Sequence, residues 1–170
     1  FKTDALRTYV DMLNPIQSRR IDELKPDEEF IFYDNIQQTL MDVAAKVFIG
    51  LDETSAEAKM LHKIFENINK GLITPVPYDL PFSTFRKALK SRESLRNFLV
   101  TKIPERRGTE LEDMFSRYCN AKDEDENYLE DVDIDGHIAF LLFAAFDTTT
   151  SALTNCLLYT SDAADDLFRV

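Results

Sequence analysis

The sequence contains no tryptophan and, among 170 residues, only four glycines, six prolines, two cysteines and two histidines. Two cysteines cannot build the disulfide framework of a small secreted domain, and they favour a reducing compartment. Glycine and proline mark the turns between short strands, so their scarcity argues against a protein made mostly of strands. These shortages leave a helical protein as the main expectation.

Long apolar runs and a basic surface are also missing. The longest unbroken apolar run, Ile138 to Phe146, is about half of the ~18–20 residues that a membrane-spanning helix needs. The net charge is −11, and many of the acids lie between Asp123 and Asp135. A nucleic-acid-binding protein needs a basic surface, so we predict no nucleic-acid partner.

Apolar residues recur at intervals of three and four along most of the chain, which predicts a mainly α fold with about six helices. Thr54-x-x-Glu57 and Thr109-x-x-Glu112 match the capping box and predict the starts of two of these helices. Gly71 is the predicted end of the helix that starts near Thr54. The segment "ITPVPYDLP" (residues 73–81) predicts a proline-rich loop, either a stiff connector or the border of a ligand entrance.

Several residues invite a metal or nucleophile hypothesis, and each has a simpler explanation. The "DVDIDG" segment (residues 131–136) matches the first half of a calcium-binding loop, but Leu142 stands where the loop needs a glutamate. We therefore interpret these acids as the N-terminal residues of a helix. His62 and His137 lack a second ligand at suitable spacing, and Cys119 lacks a histidine–acid arrangement. We predict no metal ligands and no thiol nucleophile.

The segment "LLFAAFDTTTSALTN" (residues 141–155) places an acid and four hydroxyl residues directly after an apolar run. On a helix, Ala144 and Thr148 lie one turn apart and share a face with Phe140. Burial of Asp147 would be costly, and perturbed acids concentrate at functional sites. The alternative is a closely packed helix crossing whose hydroxyls bond carbonyl oxygens four residues back. The pattern alone leaves both interpretations open.

The string "AAFDTTTSALT" resembles the central helix of cytochrome P450 monooxygenases, whose motif is a small pair, a variable residue, an acid and then Thr-Thr or Thr-Ser. Ala144 and Ala145 match the small pair, Asp147 matches the acid, and Thr148 matches the key threonine of that motif. "FKTDALRTYVDMLNPI" resembles the segment after the helix that contacts the haem propionates. The resemblance covers residues 1–155 and implies a partial cytochrome P450 fold that ends within the central long helix.

This resemblance implies haem-dependent oxidation of a lipophilic small molecule by O2, with electrons from a ferredoxin or a reductase. Ala144 and Ala145 would lie at the haem, while Asp147 and Thr148 would deliver protons to dioxygen there. The substrate would be bordered by apolar residues of two segments: Phe140, Phe143, Ile73 and Val76. The alternative function is a non-catalytic helical ligand-binding or packing module.

Two parts of the cytochrome P450 pattern are missing from the sequence. There is no Phe-x-x-Gly-x-x-x-Cys-x-Gly loop, which holds the haem iron through its cysteine, and no β-sheet region. Neither Cys119 nor Cys156 has the context of that loop. Glu93-x-x-Arg96 matches the family's Glu-x-x-Arg string but precedes the central helix, so it is interpreted as a surface pair. We expect the chain to be inactive by itself.

Two further expectations concern the C-terminal residues and the cellular location. "CLLYTSDAAD" resembles a translated sequencing-library adapter, so residues 156–170 are expected to be a non-native tail. Similarity to the soluble bacterial cytochrome P450s implies a cytoplasmic location. The sequence leaves an N-terminal membrane anchor open.

Overall fold

The computed structural model describes the backbone of residues 3–25 and 28–167, and the side chains of residues 7–25 and 28–160. Within them the chain forms six helices: α1 (Thr3–Asp22), α2 (Phe32–Ile49), α3 (Ala56–Leu72), α4 (Thr84–Arg106), α5 (Met114–Cys119) and α6 (Asp131–Leu167). No described residue belongs to a named strand, and Lys122 and Tyr128 form an isolated antiparallel bridge. The predicted mainly α fold is confirmed.

The chain is divided into two compact units, and α2 and α6 each contribute residues to both. The first unit comprises residues 1–44 and 142–170, and the second comprises residues 45–141. In the first unit, Arg20 of α1 donates from Nε to Asp42 Oδ2 of α2 at 2.9 Å, and Asp42 is almost completely buried. A charge withdrawn from water needs such a partner, so this pair joins α1 to α2.

In the second unit, α3 and α4 pack against each other in antiparallel order. Asn67 Nδ2 donates to Ser91 Oγ at 3.0 Å, and Lys102 Nζ lies 2.8 Å from Glu57 Oε1 further along the pair. Gly71 is buried inside α3, against Ala88 of α4, and the helix continues to Leu72. The prediction that Gly71 ends this helix is therefore wrong: the glycine allows the two helices to approach.

Both predicted capping boxes are also wrong. Ser55, rather than Thr54, is the N-cap of α3 and accepts a hydrogen bond from Ala58 N, while Thr54 bonds Asp52. Asp113 is the N-cap of α5 and accepts from Ser116 N. Serine and aspartate are both strong N-cap residues. The observed caps lie one residue after Thr54 and four residues after Thr109.

On the short helix expected after Thr109, the sequence also predicts that three residues pack together: Leu111, Phe115 and Tyr118. Phe115 is fully buried, as expected, but Leu111 precedes the helix and is half exposed. Tyr118 is only partly buried and stacks on the ring of His137, with 5.4 Å between the ring centroids. Phe115 alone of the predicted trio belongs to the core.

Candidate active site

Along α6, every fourth residue from Ile134 to Thr150 is buried. These residues are almost or completely inaccessible to solvent: Ile134, Ile138, Leu142, Phe146 and Thr150. Residues four apart are neighbours on a helix surface, each rotated by about 40° from the last, so they form a line that winds slowly around α6. The apolar run from Ile138 to Phe146 is buried only along this line, and Phe140 within it is 69% exposed.

The acid and hydroxyl of the motif lie away from this buried line. Asp147 and Thr148 are both exposed, and Ala144 is exposed one turn before Thr148. Asp147 does not carry the cost of burial, because it projects from a side of the helix that the described residues do not cover. The predicted common face of Phe140, Ala144 and Thr148 is confirmed by their shared exposure.

The threonine hydroxyls of this segment donate hydrogen bonds to backbone carbonyl oxygens of the same helix. Thr148 Oγ1 donates to the carbonyl oxygen of Ala144 at 2.5 Å, and Thr150 Oγ1 donates to that of Phe146 at 2.8 Å. Thr154 makes the same bond to Thr150, also at 2.8 Å. The back-bonding that the sequence offered as an explanation of the hydroxyls is thus present, and it coexists with an exposed acid and hydroxyl pair.

The other predicted site residues lie at different depths and in both units. Ala145 and Phe143 are partly buried on α6, in the first unit. Ile73 and Val76 belong to the loop between α3 and α4 in the second unit, where they are 84% and 47% exposed. The structure therefore brings together Ala144, Asp147 and Thr148 on α6, and Ile73 and Val76 are exposed on the loop of the second unit.

Neither cysteine suits a haem iron. A cysteine that holds a haem iron binds as a thiolate and must be within reach of the metal. Cys119 is completely buried, and burial raises the pKa of its thiol to about 11. Cys156 is exposed on α6, beyond the motif and within the predicted tail. Across the described residues, no group of three or more His, Cys, Asp or Glu side chains could hold a metal ion.

The exposed side of α6 does suit a flat group lying against it. Ala144 projects only a methyl group, and the neighbouring Thr148 hydroxyl is within reach of anything that rests on that methyl. A haem bound on this side of α6 would rest on Ala144 and Thr148.

Sequence reasoning missed Thr150, the only member of the polar cluster that is fully buried. Its signal was its position: Leu142, Phe146 and Thr150 follow each other at intervals of four, so Thr150 continues the apolar line. A polar residue at the end of an apolar line is expected to be buried with its hydrogen bond satisfied.

The same helix passes a compositional test for membrane spans. Asp131–Thr160 is long and apolar enough to cross a membrane, although core helices of soluble proteins pass the test too. The unbroken apolar run suggested a shorter segment, because it ends at Asp147, whereas the mean hydropathy tolerates the hydroxyl residues that follow. The predicted cytoplasmic location stays a prediction.

No family model matches the chain. It is 30% identical over 163 residues to a cytochrome P450 136 of Mycobacterium tuberculosis, a match that covers 91% of this chain and 32% of the relative. It is 26% identical over 166 residues to the β-amyrin 6-β-monooxygenase of Solanum lycopersicum, covering 95% of this chain and 34% of the relative. The β-amyrin 28-monooxygenase of Panax ginseng is 28% identical over 162 residues, a match that covers 91% of this chain and 33% of the relative.

Among solved structures, the chain superposes on the retinoic acid-bound cyanobacterial CYP120A1 with a TM-score of 0.84. The sequence identity is 26%, and the match covers 97% of this chain and 38% of the other. The predicted resemblance to cytochrome P450s and the predicted partial cytochrome P450 fold are confirmed. The chain spans about a third of the length of the curated relatives that it matches.

Proposed function

Because this chain has a partial cytochrome P450 fold, we propose that it forms the oxygen-activating side of a haem-dependent monooxygenase that oxidises a lipophilic small molecule. The observation that carries the proposal is the exposed Asp147–Thr148 pair beside the exposed methyl group of Ala144. Such a pair combines a proton source with a hydroxyl that can pass the proton on.

Each residue of this pair has a distinct task. Haem, when bound, supplies the redox chemistry that activates dioxygen. Thr148 holds a proton on Oγ1, which it now donates to the carbonyl oxygen of Ala144 at 2.5 Å. Rotation of this hydroxyl lets it donate to a bound molecule instead, because a hydroxyl has one hydrogen. Asp147, the adjacent exposed acid, would take up a proton from water and pass it to Thr148 Oγ1, which restores the proton that Thr148 gives up.

Apolar side chains support a lipophilic substrate. Phe140 and Phe143 flank Ala144 along α6, and Phe140 is largely exposed. Ile73 and Val76 add exposed apolar surface on the loop after α3. The relatives named for β-amyrin and the structure bound to retinoic acid handle lipophilic molecules, which agrees with these surfaces. A ferredoxin or a reductase would supply the electrons.

The proposal is tested with Thr148→Ala in the complete gene product, supplied with an electron donor, O2 and a panel of lipophilic substrates. The fraction of consumed reductant that appears as oxidised product should fall by about tenfold or more, since the proton relay is broken. Thr149→Ala, a change at the exposed neighbouring residue, is the matched control and should keep the wild-type fraction.

Equal coupling in Thr148→Ala and the wild type would reject the proton-delivery role. Failure of the wild-type protein to oxidise any substrate, together with binding of lipophilic molecules, would favour the non-catalytic helical module instead.

A further inference from the structure

Thr150 differs from the other threonines of α6 in its surroundings. Its side chain is 0% exposed, whereas Thr148 is exposed and Thr154 is partly buried. Residues 148 and 150 are two positions apart, so they project from roughly opposite sides of the helix, about 200° around its axis. The buried hydroxyl therefore acts on the helix from the side that faces away from Thr148, and it lies about 60° around the axis from Asp147.

The acceptor of the Thr150 hydroxyl is the carbonyl oxygen of Phe146, at 2.8 Å. That carbonyl belongs to the peptide group that joins Phe146 to Asp147, and the peptide group is planar. A hydrogen bond to its oxygen therefore restricts the orientation of the amide from which Asp147 projects. Water cannot replace the bond because Thr150 is completely buried, and loss of a buried partner is costly.

The bond matters because Thr148 cannot keep its own bond and also deliver a proton. When Thr148 Oγ1 donates elsewhere, the carbonyl oxygen of Ala144 loses that bond, and the helix around it loses part of its constraint. The peptide group before Asp147 stays anchored from the other side of the helix by Thr150. The carboxyl group then keeps its place beside the moving hydroxyl.

We propose that Thr150 is a positioning residue for the Asp147–Thr148 pair, acting through the Phe146 carbonyl oxygen. This inference rests on the proposed monooxygenase function. It assigns no contact between Thr150 and substrate, and it requires only that the hydroxyl donor at this position be present.

The experiment compares Thr150→Val with Thr150→Ser in the complete, haem-loaded gene product. Valine keeps the shape of threonine but lacks the donor, and serine keeps the donor but lacks the methyl group. Thr150→Val should lower the product-forming fraction of consumed reductant by about two- to tenfold with an unchanged KM, the range expected for one lost hydrogen bond. Thr150→Ser should restore the fraction to within about twofold of wild type on the same reasoning. Thr154→Val, which removes the same kind of bond one turn later, is the matched control and should couple like wild type.

Three outcomes are decisive. Wild-type coupling in Thr150→Val, in a protein where Thr148→Ala is uncoupled, overturns the positioning role and leaves the proposed function standing. Absence of any substrate oxidation by the wild type rejects the proposed function itself. If Thr150→Val fails to fold, Thr150→Ala also lacks the donor and cannot crowd its neighbours; wild-type coupling there overturns the inference, and reduced coupling rescued by serine supports it.

Discussion

Gly71 of α3 lies so close to Ala88 of α4 that a methyl group added to Gly71 would sit 2.1 Å from the Ala88 Cβ atom. The helices would have to separate to admit that group. We therefore expect Gly71→Ala to destabilise the α3–α4 pair by about 1–3 kcal/mol through overpacking. Amide hydrogen exchange in α3 and α4 measures the change.

Gly136→Ala is the matched control, because Gly136 is also helical and an added methyl group there meets no atom within 4 Å. Alanine has the higher helix propensity, so this substitution should be neutral or stabilising. The double variant Gly71→Ala, Ala88→Gly should recover most of the lost protection. Equal protection in Gly71→Ala and the wild type would show that the helices are not in such close contact.

Asp113 and Arg106 form a largely buried pair, with 2.9 Å between Asp113 Oδ2 and Arg106 Nη1. The same guanidinium donates from Nη2 to the carbonyl oxygen of Ile49 at 3.0 Å, so it links the ends of α2 and α4 to the start of α5. Asp113→Ala leaves this cation without its carboxylate, and we expect a loss of about 3 kcal/mol in unfolding free energy. Urea unfolding of the chain provides the measurement.

Asp79 and Arg86 form the matched exposed pair, with 2.6 Å between Oδ1 and Nε. Exposed ion pairs contribute little, because water and salt screen them. Asp79→Ala should therefore leave the urea midpoint unchanged. Similar losses for both aspartates would mean that burial of Asp113 does not decide its contribution.

The two cysteines should react very differently with a thiol reagent. Cys119 is fully buried, and its raised pKa, about 11, keeps the thiol protonated at neutral pH. Cys156 is exposed. Since the thiolate is the reactive form, we expect one fast-reacting thiol in the native chain and a second only after denaturation. Rapid native labelling of Cys119, located by mass spectrometry, would contradict its burial.

Asp135 should make stability depend on acidity. Burial raises the pKa of its carboxyl group, against the opposing effect of Arg96, whose Nε lies 3.8 Å from Oδ2, and of Arg92. Because the pKa is higher in the folded chain, the folded chain binds this proton more tightly than the unfolded chain does. The stabilisation that protonated Asp135 gives is complete below the unfolded pKa and disappears as pH rises through the folded pKa. Asp135→Asn should therefore raise the melting temperature at neutral pH and flatten its pH dependence. A lower melting temperature at neutral pH would show that the attraction to the arginines outweighs the burial.

The helices of this fold could be predicted because their signals are local. The recurrence of apolar residues at intervals of three and four depends only on helix geometry, and it predicted the mainly α fold. The caps were predicted less well because serine, threonine and aspartate all accept hydrogen bonds from free helix amides. Ser55 lies next to Thr54, and Asp113 lies four residues beyond Thr109, so this preference does not separate the observed caps from the predicted ones.

The candidate site was predictable in its members but not in its exposure. The motif identified Ala144, Asp147 and Thr148 by sequence, yet the side of α6 that is buried depends on contacts with distant segments. The missed Thr150 could have been found from its spacing with Leu142 and Phe146. Gly71 was misassigned for the same reason, because its role depends on Ala88, which lies on another helix.

The most direct test of the account is the carbon-monoxide difference spectrum of the reduced complete gene product. We predict the absorption maximum of a thiolate-ligated haem, because the chain has a partial cytochrome P450 fold and the proposed function requires a haem at Ala144 and Thr148. A spectrum without haem absorption, or one typical of histidine-ligated haem, would contradict the proposed function.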